Sequence, residues 1–366
     1  MIKAFCNAVI YTGEEILYNH CVVVENGVIQ YVCLQDQLPS QATTVNLQDC
    51  ILTPAFIDLQ IYGGNGKLFG EYPSVEALAA TEEYCRGGGA ALFLPAMATH
   101  SMEVFLKGIE AVRQYWLQGG KAVPGLHLEG PYINPAKKGA HIEAYIKRPT
   151  ITDAALLIEK GKGIIKMITL APEMCSREII PLFQEQGIIV SCGHTNATYA
   201  QAMSAFDDGI TTATHLYNAM SGLNHREPGV VGAILDSKKV SVSIVADGQH
   251  VSYAAIRIAK EILKEKLFLI TDAVTPNSGQ YNHQLSGDKY VLADGTLSGS
   301  SLTMIKAVKN CIEHAGIKTE EALRMASLYP AKVIAIDNEY GKIKPGYMAS
   351  FVVLDKDLVV KQLIAD

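Results

Sequence analysis

No two of the eight cysteines lie close together: they stand at 6, 21, 33, 50, 85, 175, 192 and 311, without a CxxC pair. That scatter excludes a zinc ribbon or a small disulfide scaffold and predicts reduced, partly buried thiols. No uninterrupted apolar run approaches the ~18 residues of a membrane span; even Ala90 to Met97 is broken by Pro95. The opening MIKAFCNAVIYTGEE has one Lys, acidic residues and no long apolar region, so it does not read as a signal peptide, and a soluble, cytoplasmic protein is expected. Excess positive charge is missing as well. A net charge of -6 leaves no global field for nucleic acid or an anionic membrane, so an anionic ligand must be gripped by a few local donors. GGNGK at Gly63 lacks the spacing and the Ser/Thr of a phosphate loop, which removes a nucleotide-binding module. The sequon Asn196-Ala197-Thr198 means nothing without a secretory signal.

What is present is an ordinary globular composition, 49% hydrophobic and 19% charged, over 366 residues, enough for two domains or one large barrel with an appendage. Up to about Leu52 short alternating runs dominate, and Asn26-Gly27 between VVVE and VIQYV is a strong hairpin signal. The C-terminal GKIKPGYMASFVVLDKDLVVKQL has the same β-rich texture. A small β-sandwich assembled from both chain ends, residues 1–52 with 343–366, is therefore expected. Between them, residues 53–342 alternate apolar strands with helical stretches. Strands are predicted at Ala55 to Ile61, Ala90 to Met97, Val123 to Leu128, Ile164 to Leu170, Ile188 to Cys192, Ile210 to Thr214, Val240 to Val245 and Leu267 to Thr271. Helices are predicted between them, with Ser74, Ser101, Thr152, Ser176 and Thr198 as N-caps, and a last one at Thr303 to Ala315. Eight such units favour a (β/α)8 barrel over an open doubly wound sheet.

Polar residues cluster where such a barrel keeps its active site, at the carboxyl ends of strands. These are Gln60 and Tyr62, Glu129, His194, His215, Asp247 with His250, and Asp272. An ionised Glu129 ending an apolar strand needs a cationic partner or solvent. Glu129, His194 and His215 together form a ligand set that suits one catalytic zinc with an open position, with iron or manganese as alternatives. Asp272, closing LFLITDA, is the candidate base. Against free water at ~15.7, an Asp of pKa ~3.9 falls ~16 kcal/mol short; a metal that brings water to ~7 narrows the gap to ~4 kcal/mol. Base and metal must cooperate.

Taken in order, PAFIDLQIYGG, HLEGPYINPAKKGAH, SCGHTNATY, THLYNAM, REPG, ADGQH, TDA and LSGSSLTM resemble the successive blocks of the N-acetylglucosamine-6-phosphate deacetylase family of the amidohydrolase superfamily. The resemblance covers nearly the whole chain. It implies that Glu129, His194 and His215 bind the metal, that Asp272 activates water, and that His141 contacts the sugar and polarises the reacting group. It further implies that Asn218, the backbone of Ala219, Arg226 and His250 hold a phosphate, with Arg226 reaching in from the neighbouring subunit of a homodimer. Tyr62, Gln60, Leu297, Ser298 and Gly299 are expected to line the pocket. Many amidohydrolases carry an HxH pair where this chain has Gln60 and Tyr62, so a two-metal centre is not expected. The implied reaction is metal-assisted hydrolysis of an acetamide. Residues Pro276 to Gly299 read as a β-hairpin lid after strand eight. A relative acting on a cyclic or peptide amide would need no phosphate block, and a scaffold that had lost catalysis would not keep all three ligands and the base.

Overall fold

A computed structural model describes residues 2–277, 279–287 and 289–365. Eight parallel strands form its centre: β1 (Phe56–Ile61), β2 (Ala90–Ala98), β3 (Leu126–Glu129), β4 (Ile165–Leu170), β5 (Ile189–Cys192), β6 (Thr212–Ala213), β7 (Ser241–Val245) and β8 (Leu267–Ile270). Each pairs with its sequence neighbour, as right-handed βα units require. The expected barrel is thus observed, and its strands begin and end within a few residues of their predicted limits. Helices cover the outside. Ser74, Ser101 and Thr198 each accept a hydrogen bond from a backbone N–H of the first turn, as expected. Two caps differ: Thr150, not Thr152, caps Ile151–Lys160, and Ser176 caps nothing, because the fourth helix starts later, at Ile179, behind Glu178. After Met304–Glu313 the chain adds two short helices beyond those expected, Thr319–Ala326 and Leu328–Val333. No helix among the described residues is long and apolar enough to cross a membrane.

The seam between β8 and β1 closes in an unusual way. Beyond the strand ends the Asp272 N–H donates to the Gln60 carbonyl and the Tyr62 N–H to the Ala273 carbonyl, both at 2.9 Å. Below them the fully buried Asp58 carboxylate on β1 stands in for the missing ladder. It accepts from the Thr271 N–H at 3.1 Å, from the Thr271 hydroxyl and from the Gln60 N–H. Burial pushes Asp58 up to about 7.

Strands from both chain ends share one seven-stranded sheet. Thr43–Pro54 lies parallel to Ile2–Tyr11 on one side and antiparallel to Phe351–Leu354 on the other, then runs on through Ala55 into β1. Its inner face is apolar, with Phe5 set edge-to-face against Phe351, ring centroids 5.8 Å apart. One expectation fails here. Cys6 and Cys21 stand opposite each other on adjacent strands, Cα atoms 4.5 Å apart, and form a disulfide, so six rather than eight cysteines are free. In the inserted segment after β8 a hairpin is present, though short, with strands Gln284–Ser286 and Lys289–Val291. Positions 278 and 288 of the expected lid, like positions 1 and 366 of the expected terminal unit, lie outside the described residues.

Thr271→Val removes a hydroxyl donor from a buried carboxylate without changing side-chain volume much. Urea denaturation is expected to show a loss of about 1–3 kcal/mol, and an unchanged midpoint would mean that the Thr271 hydroxyl does not help Asp58 hold the seam.

Candidate active site

The carboxyl ends of the barrel strands meet in one cavity, lined among others by Tyr62, Glu129, His141, His194, His215 and Asp272. Three of these residues end their strands by turning into left-handed backbone: His194 (φ 47°), His215 (φ 40°) and Asp272 (φ 53°). For non-glycine residues such backbone costs about 1–3 kcal/mol each and persists only where the surroundings over-determine it. Here it stops each strand at the cavity. Beneath the cavity floor a polar layer fills the barrel: His127 contacts the Leu59 carbonyl at 3.0 Å and the Thr169 hydroxyl at 2.8 Å, and Thr214 joins Thr169 to Ser191.

Glu129, 1% exposed, is the hub. Its Oε1 lies 2.9 Å from His215 Nε2 and 3.4 Å from His194 Nε2; its Oε2 lies 3.0 Å from His141 Nε2. The two ring nitrogens of His194 and His215 are 3.1 Å apart. Tyr62 donates its hydroxyl to Glu129, and Gln60 Nε2 reaches both Glu129 Oε1 at 3.0 Å and Asp272 Oδ1 at 2.7 Å. Burial alone would raise the Glu129 carboxyl, but His194, His141 and His215 hold it well below the usual range. Asp272 is raised, chiefly by burial.

Which nitrogens can hold a metal follows from their second partners. Glu129, His141 and His194 offer atoms that lie within 4.8 Å of one another. His194 Nδ1 faces the Lys137 carbonyl at 2.8 Å, which only accepts, so the proton sits on Nδ1 and Nε2 presents a bare lone pair. His141 is the reverse. Its Nδ1 accepts the Thr99 backbone N–H at 3.1 Å, which puts the proton on Nε2 and makes that atom a donor. His215 Nε2 stands beside both Glu129 and His194, while its buried Nδ1 has no protein partner among the described residues. The donor set that fits a zinc-type ion is therefore one carboxylate and two imidazoles, with His141 left as a neutral N–H group; burial pushes its imidazole down to about 4.

Asn218, Ala219, His250, Leu297, Ser298 and Gly299 also line the cavity. One expectation fails on placement. Gln60 is buried behind Glu129 and Asp272 and does not line the cavity, because its amide turns away to serve both carboxylates. Arg226 lies exposed on the loop after β6, outside the cavity lining of its own chain. His250 is placed in the wall with both nitrogens engaged: Nδ1 meets Asp247 Oδ2 and Nε2 meets the Ser298 carbonyl, each at 2.6 Å. Both partners accept, so both nitrogens carry protons and the ring is cationic. Burial opposes that charge, but Asp247 raises the His250 pKa above its ordinary value. Thr99, Tyr281 and His283 went unnoticed in the sequence; only the YNHQL run within the lid hinted at polar side chains there.

Residues 51–366 match the model of the amidohydrolase family, and residues 3–52 match that of the NagA composite domain. The chain belongs to the amidohydrolase family. The resemblance carried by the ordered motifs holds along its length: it is 38% identical over 365 residues to the N-acetylglucosamine-6-phosphate deacetylase of Haemophilus influenzae, covering 96% of this chain and 95% of that one. It is 34% identical over 364 residues to the N-acetylgalactosamine-6-phosphate deacetylase of Escherichia coli O157:H7, with the same coverage. Among solved structures, the N-acetylglucosamine-6-phosphate deacetylase of Pasteurella multocida superposes with a TM-score of 0.96 at 37% identity, over 100% of this amidohydrolase and 98% of that chain.

Because the folded pKa of His250 is raised, its contribution to stability is full below the unfolded value of ~6.5 and is lost as pH rises through the folded one. Asp247→Asn should lower the His250 pKa in an NMR titration and cost more stability near pH ~6 than near pH ~9. An unmoved His250 titration would show that Asp247 does not set its charge.

Proposed function

We propose that this amidohydrolase cleaves the acetamide of N-acetylglucosamine 6-phosphate to glucosamine 6-phosphate and acetate, in amino-sugar catabolism or recycling. The observation that carries this reading is the convergence of Glu129, the Nε2 atoms of His194 and His215 and the Asp272 carboxylate in one cavity that also holds Asn218, Ala219 and a cationic His250. Near full-length identity to named deacetylases supports it. Glu129, His194 and His215 would hold one divalent ion, zinc as first choice with iron or manganese as alternatives. Such an ion supplies Lewis acidity to the carbonyl and acidifies water. Asp272 takes the proton of the attacking water and passes it to the departing nitrogen. The Nε2–H of His141 donates to the acyl oxygen as charge gathers there. The commitment of Gln60 to two carboxylates favours one ion over two.

At the anionic end, Asn218 and the Ala219 N–H would meet the phosphate, the His250 charge would favour it, and Arg226 would complete the grip from the neighbouring subunit of a homodimer, its fork matching two phosphate oxygens. Tyr62, Leu297, Ser298 and Gly299 would pack around the sugar, with the 276–299 segment as lid. Membership of the seven-stranded sheet supports a division into a composite unit, 1–52 with 343–366, and a hydrolase barrel, 53–342. The cytoplasm, where sugar phosphates are retained by their charge, suits the substrate. The identity to an N-acetylgalactosamine-6-phosphate deacetylase favours one second reading, the C4 epimer as substrate.

Purified protein should hold about one metal per chain by elemental analysis and release acetate far faster from N-acetylglucosamine 6-phosphate than from the unphosphorylated sugar; equal rates would remove the phosphate assignment. Asp272→Asn should keep the metal and lose about 10²–10⁴ in kcat. Normal turnover would show that the base lies elsewhere.

A further inference from the structure

One buried polar group in the cavity wall has no part in the reaction just described. The insertion after β8 contributes Tyr281, His283, Leu297 and Ser298 to the cavity. Their polar atoms are largely spent within the protein. The Tyr281 hydroxyl donates to the Thr99 carbonyl at 2.6 Å, the Ser298 carbonyl accepts from His250, and the Ser298 hydroxyl is paired with His283 Nδ1. His283 Nε2 alone of this group has no protein partner among the described residues, although the residue is only 6% exposed. The imidazole is held in place rather than free to swing: its backbone N–H donates to the Tyr281 carbonyl at 3.1 Å, its carbonyl accepts from Asn277, and its ring lies nearly parallel to that of Tyr281, 15° apart in plane.

We infer that His283 Nε2 reads an uncharged hydroxyl on the C3–C4 edge of the sugar ring, which makes it a substrate-binding residue that fixes ring identity. The inference rests on the deacetylase reading. In that reading the C2 acetamide belongs to the Glu129 and Asp272 end and the C6 phosphate to the Asn218 end, so the ring hydroxyls between them need partners of their own. Charge decides against an alternative role in the phosphate grip. Burial pushes the His283 imidazole down to about 4, so it is neutral at physiological pH and a poor anchor for an anion. A hydroxyl both donates and accepts, and so pairs with Nε2 in either tautomer of the ring. A cavity-facing nitrogen fixed by its other ring atom and by stacking is preorganised for that bond.

The test is a cycle of two enzymes and two substrates. His283→Phe keeps the ring and removes its polar atoms, and a 3,4-dideoxy analogue of N-acetylglucosamine 6-phosphate removes the hydroxyls. Wild-type enzyme should show a KM about tenfold higher for the analogue than for the parent. His283→Phe should show that same raised KM on both substrates, with kcat on the parent little changed, and His283→Gln should recover part of the preference. A His283→Phe enzyme that melts like wild type and still prefers the parent tenfold overturns the inference alone. Wild-type enzyme that releases no acetate from the parent substrate overturns the deacetylase reading, and the role of His283 with it.

Discussion

A carboxylate with almost no access to water sits at the centre of this molecule, and most of what surrounds it exists because an isolated buried charge is prohibitive. Glu129 is compensated by three imidazoles, a phenol and an amide. None of these comes from its own strand. The imidazoles arrive from the loop after β3 and from the ends of β5 and β6, and the amide and phenol from the end of β1, so the electrostatic requirement of one residue constrains the relative positions of several strands. The same requirement explains the tautomers. Lys137 and Thr99, through backbone atoms alone, fix which nitrogen of His194 and of His141 carries hydrogen, and so leave a lone pair on Nε2 of one and a hydrogen on Nε2 of the other.

Closure of the barrel and the position of Asp272 are a single problem solved by a second buried carboxylate. Asp58 ties β1 to the residue before Asp272, and the backbone of Asp272 is tied in turn to Gln60, whose side chain contacts Asp272 and Glu129. The left-handed backbone at Asp272, His194 and His215 persists because buried apolar side chains pack the barrel around it.

The barrel was legible because its strands are compact apolar runs, and Glu129, His194, His215 and Asp272 were legible because each interrupts such a run at its end. Alternation along a strand says which face a residue takes, and it says nothing about the neighbour it meets. Gln60 was therefore expected in the pocket, whereas its amide is occupied behind it. Cys6 and Cys21 are fifteen positions apart and become partners only through the register of two strands, which no spacing rule encodes. His283 sits in a short hairpin with weak patterning, so its burial depends on contacts with Tyr281 and Ser298 made in the folded cavity. Arg226 is exposed and lies outside the cavity lining of its own chain, so no burial pattern marks it in the sequence.

The strand Thr43–Pro54 has its antiparallel partner, Phe351–Leu354, about three hundred residues further along. On a ribosome that partner emerges only after the whole barrel has been translated, and until then one flank of the early strand is an open hydrogen-bonding edge of the kind that recruits other chains. A segment synthesised late is therefore the one that fastens an early strand, and the interval between the two is when the nascent polypeptide has most need of a chaperone.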